Sequence, residues 1–256
     1  MSDPAPATVT ASSPASHAGA GHGAGPPTSI RHPLVASLLA LTFTTGLIDA
    51  ASYLGFDHVF SANMTGNVVL LGFGIGGAKG LPVVAPAVSM AAFVAGAGAG
   101  GMLAAALGQR QVANIGWALT IEAVLVAAAT LLVAIVDVRP NAPSGDAVIA
   151  LLAFAMGLRN ATVRRLGVPD LTTTVLTMTL TGLAAESRLF GGTGKGSVRR
   201  IAAVIAMLAG AVAGALLLKA GHWLPLACAC GVAILIWIAY LPARIRPAQG
   251  ADASVR

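Results

Sequence analysis

The run VVAPAVSMAAFVAGAGAGGMLAAAL, Val83–Leu107, carries no charged residue at any position. A helix needs about 20 mostly apolar residues to cross the hydrocarbon of a bilayer. This run is long enough. It is also too bare of charge for a helix that keeps one face in water. Its core, Gly96-Ala-Gly-Ala-Gly100, sets small residues four apart, the spacing that lets membrane helices approach closely. The unit of this fold is therefore a membrane-embedded α-helix.

Seven further apolar runs flank it: Leu34–Phe56, Val59–Gly77, Ala113–Val136, Ala147–Leu166, Leu171–Ala185, Ile201–Leu218 and Trp223–Leu241. Only 9% of the 256 residues are charged and 56% are hydrophobic, against roughly 25% charged in an ordinary soluble domain. So few charges cannot cover a soluble surface. The composition excludes a soluble globular enzyme, a disordered protein and a nucleic-acid binder. The fold class is all-α: a polytopic transmembrane bundle of about six spans plus two broken or re-entrant segments. Residues 1–33 form an Ala-, Pro-, Ser- and Gly-rich tail expected to be disordered. It has neither the basic start nor the apolar stretch of a signal peptide. Two membrane repeats follow, 34–136 and 147–241, and a C-terminal tail occupies 242–256.

The repeat is read from three correspondences. Gly46-Leu-Ile-Asp-Ala50 resembles Gly157-Leu-Arg-Asn-Ala161; Met64-Thr65 lines up with Leu176-Thr177; Gly96–Gly100 lines up with Gly210-Ala-Val-Ala-Gly214. The spacing drifts only from 111 to 114 residues, as short loop insertions require. Each half reads as a long helix, an odd polar segment, a small-residue helix and a plain helix.

The net charge is +6, and the basic residues sit in short loops, which fits the positive-inside rule. Leaving out Arg159 and Arg256, six spans with the N-terminus inside put ten of thirteen basic residues on the inner face. Eight spans give nine to four, and seven give at best eight to five. The short sixth run favours six. Three spans per half would make the halves an inverted repeat, an architecture common among secondary transporters.

Several polar groups lie at membrane depth, where they are expensive and face a cavity or a partner. Asp49 and Glu122 are the candidates for proton or ion coupling. Asp49 has a structural alternative, a carboxylate bonded to backbone at a helix break near Gly46. Glu122 has one too, as a hydrogen-bond partner between helices. Asn63, Thr65, Gly66 and Asn67 of the segment Phe60–Asn67 are poor at holding a helix. Irregular backbone at this depth survives only where protein or a watery cavity surrounds it. With Arg159, Asn160, Thr173 and Thr177 of the second half they are the candidate solute ligands. Arg159 could also pair with Asp49 or Glu122 inside the bundle, but the favoured reading is a side chain near a helix end whose long stem reaches water. Gly96, Gly100, Gly210 and Gly214 are helix-packing positions, joining the halves or forming a homodimer.

Other signals fall short. Gly192-Thr-Gly-Lys-Gly-Ser197 lacks the opening Gly and the Ser or Thr after Lys that a phosphate loop needs. Cys228 and Cys230 read as small packing residues, not a disulfide framework or a metal site. No catalytic motif is present, and no metal or other cofactor is expected.

Thr45-Gly-Leu-Ile-Asp-Ala-Ala-Ser52, followed by Val59-Phe-Ser-Ala-Asn-Met-Thr-Gly-Asn67, resembles the YoaK family of small bacterial integral membrane proteins of unknown function. Met156-Gly-Leu-Arg-Asn-Ala161 and Thr172-Thr-Thr-Val-Leu-Thr177 resemble its second half. The resemblance covers about residues 34–241 and implies a multi-helix protein of the bacterial inner membrane. Where a second carboxylate would complete the symmetry, this chain has Asn160.

Two functions compete. The first is a small secondary transporter with a mid-membrane polar site that takes a small polar or ionic solute. The second is a non-transporting accessory or signalling protein that assembles through its Gly-rich helices. Either has the lipid bilayer as its partner and no nucleic acid, with an N-terminus on the cytoplasmic side.

Overall fold

A computed structural model of the chain describes residues 32–108, 110–136, 138–139, 142–167 and 176–245. The expectations for the two tails and for Thr173 fall on or reach into residues outside that range. The described residues form eight α-helices and a short 3-10 turn, Arg188–Phe190. In chain order the helices are α1 Pro33–Gly55, α2 Met64–Ile75, α3 Val84–Leu107, α4 Gln111–Ile135, α5 Pro143–Leu166, α6 Leu176–Ala185, α7 Ser197–Leu218 and α8 Leu224–Ile245.

Local chemistry sets the ends. His32 caps α1 by accepting from the Leu34 N–H, and Pro33 fills the first turn, where its missing donor costs nothing. α5 likewise opens on Pro143 and closes on Gly167, whose left-handed backbone (φ 61°) is one that glycine adopts freely. Asn63 caps α2 by accepting from the Gly66 N–H.

Five helices (α1, α3, α4, α5 and α7) are long and apolar enough to cross a membrane. α8 spans 22 residues and is apolar through Ala239. α2 has 12 residues and α6 has 10, so at about 1.5 Å per residue neither covers a hydrocarbon layer of about 30 Å. Apolar side chains point outward all around the bundle: Val94, Met102, Ile135 and Leu208 are each more than 60% exposed. That is an inside-out surface made for lipid.

Contacts between helices fix their directions. Gly96 lies against the Phe154 carbonyl, and Gly100 against Leu158 and Ala161, so α3 and α5 run parallel. Gly46 lies against the Met207 carbonyl, and Gly214 against Leu47 and Ala50, so α1 and α7 run parallel. Trp237 donates to Thr120, and Cys230 to the Ala123 carbonyl, which makes α8 antiparallel to α4. Arg159 reaches Leu41 and Thr45, while Gly145 sits by Asp57, so α5 is antiparallel to α1. The face where α1 begins, here the near face, thus also holds the ends of α5 and α8 and the starts of α4 and α7.

The four motif glycines, Gly96, Gly100, Gly210 and Gly214, therefore join helices of one chain. Gly46 and Gly157 belong with them. A Cβ on Gly96, Gly157, Gly46 or Gly210 would strike a backbone carbonyl of the facing helix: Phe154, Phe93, Met207 and Phe43 respectively.

α1 and α5 are the most enclosed of the long helices. One cluster fills the far half of the bundle around them, with Ile48, Val59, Val148, Ile149 and Leu152 fully buried. A second, smaller cluster of Val35, Leu38, Leu119 and Val163 fills the near half. The intramembrane charges lie between the two.

Candidate functional site

The segment after α1 turns back into the bundle. Residues 56–63 are irregular, and Phe56, Val59, Ser61 and Ala62 are buried. This plug descends to the level of Asp49, about 9 Å below the end of α1 at 1.5 Å per residue. Asp49 Oδ1 accepts from the N–H groups of Ser61 at 3.0 Å and Ala62 at 2.8 Å. α2 then starts beside Ser89 of α3 and ends near Pro82, so it returns to the far face. The first odd segment is thus re-entrant, and its unpaired backbone is satisfied by protein.

Asn67 holds the plug from the other side. Its Oδ1 accepts from the Phe60 N–H, and its Nδ2 donates to the Phe60 carbonyl and to Ser89 Oγ. Ser89 in turn donates to the Phe60 carbonyl at 2.7 Å. Asn67 therefore clamps backbone. Asn63 caps α2, and Gly66 lies against the Phe60 ring.

Asp49 is 5% exposed. Its Oδ2 and the neighbouring Ser61 Oγ have no hydrogen-bond partner among the described residues. α1 runs unbroken through Gly46, so the carboxylate caps a loop and does not mend a break in its own helix.

One turn earlier on α1 is Thr45. Its hydroxyl accepts from Arg159 Nη1 at 3.0 Å and donates to the Leu41 carbonyl at 2.9 Å. Arg159 also donates from Nη1 to the Leu41 carbonyl at 2.9 Å and from Nε to Glu122 Oε2 at 2.8 Å. Its Nη2 meets Glu122 Oε1, completing a bidentate ion pair. Arg159 does not extend along its helix to the interface: it turns inward and is buried against Glu122. The expectation of a snorkelling side chain gives way because Glu122, across on α4, neutralises the guanidinium where it stands.

The polar groups thus form two bonded sets one turn apart along α1: Asp49 with the plug, and Thr45 with Arg159 and Glu122. They do not all line one hollow. Asn160 donates to the Met156 carbonyl of its own helix. Thr65 and Thr177 are exposed on the outer surface. Thr45, Ser61 and Ser89 also belong to the network; Thr45 and Ser61 stand in the two quoted motifs without being among the candidate residues, and Ser89 carries no sequence signal beyond being small and polar. Among the described residues no group of His, Cys, Asp and Glu could hold a metal ion, and both cysteines are free thiols.

Comparison with known proteins fits this picture. No solved structure matches the chain. The UPF0700 transmembrane protein YoaK of Bacillus subtilis (strain 168) is 32% identical over 158 residues, which is 60% of this chain and 68% of that protein. The family model described as protein of unknown function, DUF1275, matches residues 37–239 and so takes in the plug and the buried pair. This chain is a transmembrane protein of the DUF1275 family.

Proposed function

We infer that this protein is a small secondary transporter of the bacterial inner membrane. Its two halves form an inverted repeat, and its coupling site is Asp49. The observation that carries the reading is the free Oδ2 of a buried carboxylate whose other oxygen holds a re-entrant plug. A structural carboxylate at this depth would be expected to use both oxygens, since an unmatched one is costly. A proton or a monovalent cation on Oδ2 changes the charge of the group that pins the plug.

Helix direction supports the inverted repeat. α1, α3 and α4 run up, down, up, while α5, α7 and α8 run down, up, down. The α3–α5 and α1–α7 contacts use corresponding residues: Gly96 and Gly157 in one, Gly210 and Gly46 in the other. Such halves let a site between them open to either side by exchanging conformations. The near face carries Arg110, Arg164, Arg165 and Lys195, so the positive-inside rule makes it cytoplasmic. The rival reading, an accessory protein assembling through its glycines, loses its main support, because those glycines are used within the chain. We read no enzymatic activity in the arrangement and no need for a cofactor.

A ligand-stabilisation screen of the purified protein followed by flux in proteoliposomes tests the reading. A hit should be transported under a proton or cation gradient by the natural sequence and not by Asp49→Asn. Equal flux with and without the Asp49 carboxylate removes it from the mechanism.

A further inference from the structure

Two neighbouring hollows lie between the near face and the buried ion pair, and they share Leu34, Ser37, Ile115 and Leu166 in their walls. The outer one, of about 290 Å³, lies among His32, Ser37, Gln111, Ile115, Leu166 and Ala239. The inner one, of about 30 Å³, has Glu122 and Arg159 in its wall. About 10–15 Å³ is enough for one water, so the inner hollow takes a water or a small ion and excludes a drug-sized solute. The far half is shut by fully buried apolar side chains and by the plug.

A charge here cannot stand alone. A guanidinium group keeps its charge under ordinary conditions. If Glu122 takes a proton, it becomes neutral, and the guanidinium loses its counter-charge in a medium of low dielectric. An anion at the same place restores the balance. The guanidinium fork is already aimed: Nη1 is fixed by Leu41 and Thr45, while Nε and Nη2 face the space that Glu122 holds beside the inner hollow.

We propose that the Arg159–Glu122 pair loads one small monovalent anion, of halide, nitrate or formate size, together with one proton, from the near face. The proton adds to a Glu122 carboxylate oxygen. The anion accepts the Nε and Nη2 hydrogen bonds that the carboxylate releases. No other bond changes, and the net charge of the site stays zero. The groups facing Glu122 are Arg159 from α5 and the Cys230 thiol from α8, which bonds the Ala123 carbonyl. Asp49 on α1 stands one turn beyond Thr45, and α3 holds no charged residue. The inference rests on the transporter reading for its purpose, but the site binds at equilibrium and is tested without flux. Binding without transport would remove the transporter and leave this site.

The test uses the full chain purified in detergent, titrated with sodium chloride, nitrate or formate at constant ionic strength, with gluconate as the large-anion control. At least one small anion should raise the Tm of the natural sequence, and more strongly at pH 5.5 than at pH 8. In lightly buffered solution its addition should draw up to one proton per protein from the medium. Glu122→Gln should bind the same anion at both pH values with no proton uptake. Glu122→Gln combined with Arg159→Gln should bind none. If Glu122→Gln fails to fold, proton uptake by the natural sequence decides. No proton uptake with any small anion, or a Tm response that gluconate reproduces, overturns the proposal.

Discussion

Arg159 on α5 and Glu122 on α4 form an ion pair whose side chains are 2% and 1% exposed. It is anchored to α1 through Thr45 and the Leu41 carbonyl. Three helices from both halves of the chain therefore meet at a single guanidinium, midway between the two apolar clusters.

Removing one partner leaves the other charged and buried. Glu122→Leu or Arg159→Met alone should cost about 3–5 kcal/mol. The double variant, which removes both charges, should recover most of that loss or exceed the natural stability, since well-packed apolar pairs often match buried ion pairs. Unfolding in mixed micelles at rising SDS fraction reads the difference. A double variant as unstable as either single one would show that the cost lies in packing and not in charge.

Close helix approach makes a second contrast. Gly96→Ala sets a methyl against the Phe154 carbonyl, whereas a Cβ on Gly98, two residues on, meets nothing within 4 Å. Gly96→Ala should destabilise by about 1–3 kcal/mol through overpacking. Gly98→Ala should be neutral or gain up to about 1 kcal/mol of helix propensity. Gly210→Ala, against the Phe43 carbonyl, should behave like Gly96→Ala. The same unfolding measurement checks all three.

Helix directions also make a topological prediction. With Cys228 and Cys230 replaced, single cysteines at positions 79, 110 and 165 should be labelled by an impermeant maleimide from opposite sides. Position 79 is expected on the far face, and 110 and 165 together on the near face. Labelling of 79 from the cytoplasmic side, with 110 and 165 from the opposite one, would contradict the re-entrant course of α2, because a crossing α2 reverses all three.

The long helices were legible in the sequence because an uncharged run of 20 or more residues has few other places to go. Their starts agree with the expected ones to within four residues: α3 begins at Val84 where Val83 was expected, and α5 at Pro143 where Ala147 was. The first odd segment was legible as irregular, since Asn, Thr and Gly clustered at depth argue against a plain span; of the second, the described residues give a helix too short to cross. Which way their side chains face was not. α2 is apolar nearly all round, so periodicity does not orient Thr65, and that residue lies on the outer surface. The Arg159 partner was legible only as a choice. Asp49 and Glu122 are the carboxylates at depth that could meet it, but Glu122 lies 37 residues away on a different helix, and one sequence does not decide between such a pairing and a stem that reaches water. Gly46 and Gly157 were visible only as repeat positions, because neither belongs to a four-spaced glycine pair on its own helix.

Asp49 offers the test that separates holding the plug from coupling. Asp49→Asn keeps an acceptor for the Ser61 and Ala62 N–H groups but can no longer carry a charge or titrate. Asp49→Leu removes the acceptor as well and strands two buried donors, at about 1–3 kcal/mol each. Amide hydrogen exchange over residues 56–67 should therefore be nearly unchanged in Asp49→Asn and clearly faster in Asp49→Leu. Asn67→Ala should accelerate the same segment, because it frees the Phe60 backbone from its second clamp. The plug is the only described segment that α1 and α3 hold jointly by side chain to backbone bonds, so exchange in α4 should stay at its natural rate in all three variants. If Asp49→Asn alone releases the plug, the negative charge itself is what fastens it. Protonation at Oδ2 would then act by loosening the far closure of the bundle and not merely by filling an empty acceptor.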